Sequence, residues 1–477
     1  MSKVMKHPRS GVKVRMYRHG FGDCFLLAFR GNKNKPRYML IDCGLHHRVD
    51  NHRELVKETL NDIREACKGH IHVLVVTHEH TDHISGFQYG YKMFEDNKIT
   101  VDKVWLSWAE DENNETAKML KEKYSKDKQA VMIALNELNA TNQSLAEGIE
   151  RLPSFSDTLG LADGDKNTEE AMKLIKGLGE LEFCNPEEKP KIIPDVNGVR
   201  VFVLGPPEDL KLIRMDEKSK EMYLRGMWID RDLAFEAEVM DQYGEPSSED
   251  ANIKEMSYPF EESYRRKEES ETVNQFFQNY YRSVGHEWRT IDKTWLDAAG
   301  ELALKLESHR NNTSLALAIE IESSGKVLLF PGDAQVGNWL SWGELEWKIG
   351  KNKIKGKDLL SRTVLYKVGH HGSHNATLKE KGLELMTRSD LVAMIPVDQK
   401  FAKNQGKNDS QGKPKGWKMP YEKLLNSLKQ KTKGRVLRID LGVPGQADTT
   451  MTPIDWNEFE KNAKGSCDEY IEFTVEA

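Results

Sequence analysis

The stretch VVTHEHTDHISG, residues 75–86, crowds His78, Glu79, His80, Asp82 and His83 into six positions directly after an apolar run. Histidine offers a neutral nitrogen lone pair at physiological pH, which makes it the commonest metal-ligating side chain. His78 and His80 are two apart, so extended chain points them the same way. Asp82 and His83 are adjacent and lie where the chain bends into Ile-Ser-Gly. That spacing suits two neighbouring ions, one taking His78 and His80, the other Asp82 and His83. Two later apolar runs end in the same manner. LLFPGDAQ places Asp333 after one, and KVGHHGSH places His370 and His371 after another. A carboxylate such as Asp333 can bridge two ions. Nitrogen and oxygen donors suit zinc, with manganese or iron as alternatives. A single histidine is more often a satisfied core or surface residue than a ligand. Three strand ends of this composition in one chain outweigh that expectation.

These residues fall in five ordered blocks, HGFGDCFLL, MLIDCG, VVTHEHTDHISG, NNTSLALAIEIESSGKVLLFPGDA and LYKVGHHGSHNAT, which span about residues 12–378. Together they resemble the metallo-β-lactamase fold superfamily. Within it the chain looks most like the ComEC-like hydrolase domains and their soluble relatives, which include a phosphorylcholine esterase. The resemblance implies an α/β fold, an αββα sandwich of two facing mixed sheets with helices outside and metals at one edge. It makes His78 and His80 ligands of a first zinc, and Asp82 and His83 ligands around a second. Asp333 becomes the bridging carboxylate. His371 becomes the last ligand, because relatives place that histidine directly before a glycine, and His370 then faces the substrate. Asp42, in LIDCG, matches an acidic residue that supports the ligands in relatives. Manganese is the alternative metal. Many relatives supply a third histidine to the first ion between the HxHxDH motif and the bridging aspartate. Only His286 and His309 lie in that interval, and Val203–Pro207 (VLGPP), where a ligand is expected, holds none. Both histidines read as polar helix residues rather than ligands.

The chemistry expected is hydrolysis. A metal-bound water whose pKa falls to about 7 supplies hydroxide at neutral pH. Asp82 orients it, His370 protonates the leaving oxygen, and the loop at Gly372 and Ser373 holds oxyanion or phosphate oxygens. A phosphodiesterase or nuclease is the leading reading, and the phosphodiester rests mainly on the resemblance. Two others stay open. One is a hydrolase of a small ester or lipid headgroup, of the phosphorylcholine esterase kind. The other is a metal-binding partner protein with little turnover, which the missing third histidine favours. Lys400–Lys418 carries six lysines against one aspartate, with Phe401 and Trp417 interleaved. Such a stretch either tracks single-stranded nucleic acid by stacking bases or is a solvated loop, the plainer reading. Trp339, Trp342 and Trp347, in NWLSWGELEW, have a spacing that more often packs a helix face than stacks bases.

The elements that must carry these residues alternate. Strands cluster at residues 12–108, 198–204 and 315–397. The reading is one hydrolase domain over residues 1–477, with a core at about 10–108, 196–208 and 310–477. A helical insertion at 109–195 and a charged helical insertion at 209–309 interrupt it. Glu115–Leu152 has near-heptad apolar spacing that a homodimer could use, although folding back on the core is the default. With 70 basic against 76 acidic residues the net charge is −6, so the whole chain is no electrostatic magnet for nucleic acid. Five scattered cysteines, with no CxxC pair, argue for a reducing compartment. No run approaches the roughly 18 apolar residues of a membrane span, and no signal-peptide segment opens the chain, so a cytoplasmic protein without membrane partners is expected.

Overall fold

The computed structural model describes residues 4–141, 146, 167–215, 271–280, 294–405, 416–465 and 469–477. Two mixed sheets face each other. In spatial order the first comprises Ala463–Gly465, Tyr470–Val475, Val12–Tyr17, Cys24–Arg30, Pro36–Cys43, His70–Val75, Thr100–Ser107 and Glu180–Cys184. The second runs Val436–Arg438, Val392–Ile395, Thr363–Lys367, Lys326–Phe330, Ala316–Ile321 and Val199–Gly205.

Strand periodicity explains the layering. Successive side chains alternate faces, so Phe25, Leu27 and Phe29 point between the sheets, where they meet Leu317, Ile319, Leu328 and Phe330. Leu26 and Ala28 point the other way, under a helical layer that includes Val56, Leu60 and Ile63 of the helix His52–Cys67. The second sheet turns Ala318, Leu329 and Tyr366 outward against Trp339, Leu359 and Leu424. Covered on both faces, the central strands read as continuous apolar runs rather than alternating ones. This is the expected αββα sandwich.

The tryptophans expected to pack do so: Trp339, Trp342 and Trp347 are all buried in the outer core of the second sheet. One boundary needs correction. Glu180–Cys184, assigned by sequence to the helical insertion 109–195, pairs in parallel with Thr100–Ser107 and forms the edge of the first sheet. Its five residues, ELEFC, are too short and too acidic to stand out from helical surroundings. A hairpin, Glu346–Ile349 with Asn352–Lys355, was not expected either. In the charged insertion the described elements are helices: Leu210–Ile213, Glu271–Tyr280 and Thr294–Asn312. Helix Glu115–Thr141 packs against Thr294–Asn312. Cys24, Cys43, Cys67 and Cys184 are buried free thiols, while Cys467 lies outside the described residues. No described helix is long and apolar enough to cross a membrane.

Candidate metal centre

The polar residues gather where strands of both sheets end. The strand His70–Val75 runs into Thr77 and His78. His80 then caps the helix Thr81–Tyr89 in an extended conformation, which puts Asp82 and His83 in the first turn. Asp42 stands near the end of Pro36–Cys43 with φ +54°. Asp333 follows Lys326–Phe330, and His370 and His371 follow Thr363–Lys367 with φ +41° and +51°. Two consecutive non-glycine residues in the left-handed region store strain of a kind that collects at functional sites. Gly44 allows the close approach beside the motif. A Cβ there would stand 2.1 Å from the Asp82 carbonyl carbon and the His83 nitrogen.

Four of the expected residues converge. Asp82, His83, Asp333 and His371 each offer a ligand atom, and these atoms all lie within 4.8 Å of one another, fully enclosed by protein. Asp82 Oδ2 is 2.8 Å from His371 Nε2, and His83 Nε2 is 3.3 Å from Asp333 Oδ2. On its far side His83 Nδ1 donates to Asp42 Oδ2 at 2.8 Å. His371 Nδ1 donates to the Pro396 carbonyl at 2.7 Å. Both rings are thus held at Nδ1 on the far side and turn Nε2 inward, the orientation a metal ligand needs.

The family model, described as the metallo-beta-lactamase superfamily, matches residues 18–165. That stretch holds Asp42 and the whole HxHxDH motif, while Asp333, His370 and His371 come from beyond it and join through the fold. No curated protein matches the chain. The superfamily consists largely of metal-dependent hydrolytic enzymes.

The charges at the centre call for a cation. Burial opposes a charge on His83, but Asp333, Asp23, Asp42 and Asp82 overcome it and hold its pKa well above the usual value. For His371 burial likewise opposes, and the hydrogen bond with Asp82, then Asp333, raises it. Burial would raise the Asp82 and Asp333 carboxyls, yet His83, helped by His371 at Asp82 and by Lys367 at Asp333, lowers both. Protons on two histidines thus stand in for positive charge among buried carboxylates. A divalent ion displaces such protons when it binds. Asp82 Oδ1 and His83 Nε2 are buried and make no hydrogen bond. The donor set fits a metal of the zinc or manganese kind.

His78 and His80 meet each other, with Nε2 of one 2.9 Å from Nδ1 of the other. Among the described residues they are not part of any group of three or more ligand-capable side chains. His309 does not reach them. It lines a cavity with Leu120, Tyr124 and Arg214. His286 lies outside the described residues.

Two expectations for the histidine loop change. The Gly372 amide donates to the Gly369 carbonyl, and the Ser373 amide to the His370 carbonyl, both at 2.9 Å. These amides close the turn and are not donors for substrate oxygens. The Ser373 hydroxyl is 3.0 Å from His370 Nδ1 and donates to Asn375. The Gln335 amide donates to the same His370 Nδ1 at 3.3 Å. His370 Nδ1 is thus an acceptor, and Nε2 carries the hydrogen without a hydrogen-bond partner. Burial, with the His371 charge behind it, pushes the His370 pKa down to about 4. The ring is therefore neutral at physiological pH.

Sequence reasoning missed Asp23 and Lys367. Asp23 forms a second ligand-capable group with Asp42 and His83. Lys367, 1% exposed, ion-pairs with Asp23, lies 3.2 Å from Asp333 Oδ1 and donates to the Gly332 carbonyl at 2.8 Å. The signal was present: a lysine inside VLYKV is a charge inside a buried strand. Phe401 and Trp417 do not present free faces to bases. They pack on Phe21, with centroids 5.3 and 5.5 Å away, and Phe21 packs on His371 at 4.0 Å. Lys407, Lys413 and Lys415 lie outside the described residues.

Proposed function

We propose that this metal-dependent hydrolase cleaves phosphodiesters, as a phosphodiesterase or nuclease of the ComEC-like kind. The observation that carries the hydrolase is the enclosed convergence of Asp82, His83, Asp333 and His371. These four would hold one divalent ion, and His78 with His80 would contribute to a second. Bound there, such ions supply Lewis acidity and a nucleophilic water at neutral pH. Asp82 Oδ1, which makes no hydrogen bond, is placed to accept from the attacking water. His370 Nε2 is placed to donate a hydrogen bond to a substrate oxygen. Lys367 holds Asp333 from the opposite side and offsets the buried carboxylates. The five sequence blocks support the phosphodiester, because the stand-alone relatives they resemble act on that bond.

The test is turnover by purified protein with zinc or manganese on single-stranded DNA, RNA, a chromogenic phosphodiester and carboxylic esters. Phosphodiester cleavage that disappears in Asp333→Asn supports the reading. Turnover confined to carboxylic esters replaces it with the small-ester enzyme. Stoichiometric metal with no turnover on any of them replaces it with the partner protein.

A further inference from the structure

The insertions also wall a cavity that carries several charged side chains. Its walls come from the helices Glu115–Thr141, Leu210–Ile213 and Thr294–Asn312. It is partly open to solvent and small, about 40 Å³, well below the range of sites that enclose a whole small molecule and suited to a small group only. Its lining is unusually basic for a chain of net charge −6. Lys121, Lys123, Arg214 and Arg310 line it, against the carboxylates of Glu110 and Asp127.

The pairing within it is incomplete. Lys121 stands 3.3 Å from Glu110, and Lys123 stands 3.4 Å from Asp127. Arg214 is exposed at the rim and makes no ion pair among the described residues. Arg310 lies over the Tyr124 ring, 4.1 Å from its centroid, and ion-pairs with Glu79, while its Nε makes no hydrogen bond. His309, on the same wall, registers the local field. Burial first, then the charges of Arg214, Lys123 and Lys305, push its pKa down to about 4. The cationic part of that field attracts an anion, whereas burial opposes a charge of either sign. Guanidinium groups match phosphate oxygens in pairs, and lysines add point charge.

We propose that this cavity binds a phosphate group, with Arg214, Lys121 and Arg310 as its donors. Its charge stands by itself; that the phosphate is carried on the substrate rests on the phosphodiesterase reading. Arg310 links the two sites. Its ion-pair partner is Glu79, which stands between His78 and His80, so the cavity wall and the metal-binding loop share one contact. Cavity and centre together would hold a ligand by one phosphate while another bond is presented to the metal.

The experiment is calorimetric titration of the metal-loaded protein at low salt with pyrophosphate, adenosine monophosphate and adenosine. Thermal unfolding and metal content are recorded on each variant to establish that it is folded and loaded. Pyrophosphate and the monophosphate are expected to bind and adenosine not to. The double variant K121E/R214E, altered at two solvent-accessible positions, is expected to weaken both by about tenfold or more. Binding of pyrophosphate without the monophosphate identifies a free anion as the occupant and upholds the cavity. No binding of either anion, or affinities that the charge reversal leaves unchanged, overturns it. Failure of the phosphodiesterase reading would show separately, as intact pyrophosphate binding in a protein that cleaves no phosphodiester.

Discussion

Asp82 Oδ2 and His371 Nε2 stand 2.8 Å apart, although 289 residues separate them in the chain. No local element makes this contact. Asp82 opens a helix that follows a first-sheet strand, and His371 sits in a loop that follows a second-sheet strand. The inter-sheet core, with Phe25, Leu27 and Phe29 on one side and Leu317, Ile319 and Phe330 on the other, keeps the two strand ends opposed, and the Leu315 amide donates across to the Thr77 carbonyl at 2.9 Å. The centre is a product of the sandwich, and its components gain meaning from that closure.

Replacement of Asp333 by asparagine tests the convergence directly. The isostere keeps the shape but loses the charge that faces His83 at 3.3 Å and Lys367 at 3.2 Å. Metal affinity of D333N is expected to fall by more than the about 10–100-fold that loss of a merely supporting residue costs. Elemental analysis after dialysis reads it. A variant that retains wild-type metal content shows that Asp333 is no ligand.

Among the described residues Lys367 is the lysine that ion-pairs at the centre, and it balances the charge of Asp23 and Asp333. Substitution Lys367→Met leaves Asp23 and Asp333 buried without their nearest cation. Breaking a buried pair from one side costs about 3–5 kcal/mol. Folding stability of K367M in chelator should fall by that order. A divalent ion should recover part of the loss, because a ligand that binds only the folded state stabilises it by mass action. Chemical denaturation with chelator and with excess manganese separates the terms. Equal stability of variant and wild type in chelator contradicts the assignment.

The parts legible in the sequence share a physical cause. Lys326–Phe330 appears as an apolar run because both faces are covered, while Val12–Tyr17 and Tyr470–Val475 alternate apolar and polar residues, and all three are recognisable to the residue. Histidines and aspartates after such runs are conspicuous because burial of polar groups is costly. The parts that escaped depend on partners. Glu180–Cys184 is a strand because Thr100–Ser107 offers it an edge. Asp23 matters because His83 and Lys367 arrive beside it from elsewhere in the chain. Phe401 and Trp417, set among lysines, read as base-stacking residues or, more plainly, as part of a solvated loop until Phe21 and His46 are seen against them.

His72 gives the fold a pH response away from the metal centre. Its Nδ1 accepts the Tyr38 amide hydrogen at 3.1 Å, and its ring stacks on His70 with centroids 4.4 Å apart. Burial, followed by the charges of His70 and Arg37, lowers its pKa from 6.5 to about 4. The folded state therefore binds the proton less readily than the unfolded state. The stability His72 contributes is complete above pH 6.5 and declines as pH falls from 6.5 to 4. After allowance for partial solvent access the loss between pH 7 and pH 5 is about 1 kcal/mol. Thermal unfolding of wild type and His72→Gln at both pH values reads it as a steeper decline in wild type. Parallel declines would remove His72 from the account.

Asp42 separates support from ligation. Its Oδ1 accepts the Thr77 amide and its Oδ2 the Thr77 hydroxyl, each at 2.8 Å, and the same Oδ2 holds His83 Nδ1 at 2.8 Å. The carboxylate fixes the His83 proton on Nδ1 and so leaves Nε2 for an ion. In D42N the left-handed backbone, φ +54°, is tolerated, because asparagine visits that region readily. The amide, however, can turn a donor toward His83 Nδ1 and shift its proton to Nε2. Metal affinity should fall by about 10–100-fold with folding retained. Competition against a chromogenic chelator measures the ratio. The fall should be smaller than that of D333N, since the Asp42 contact runs through an imidazole ring. Equal falls would make Asp42 a ligand in its own right, which its place in the group of Asp23, Asp42 and His83 allows.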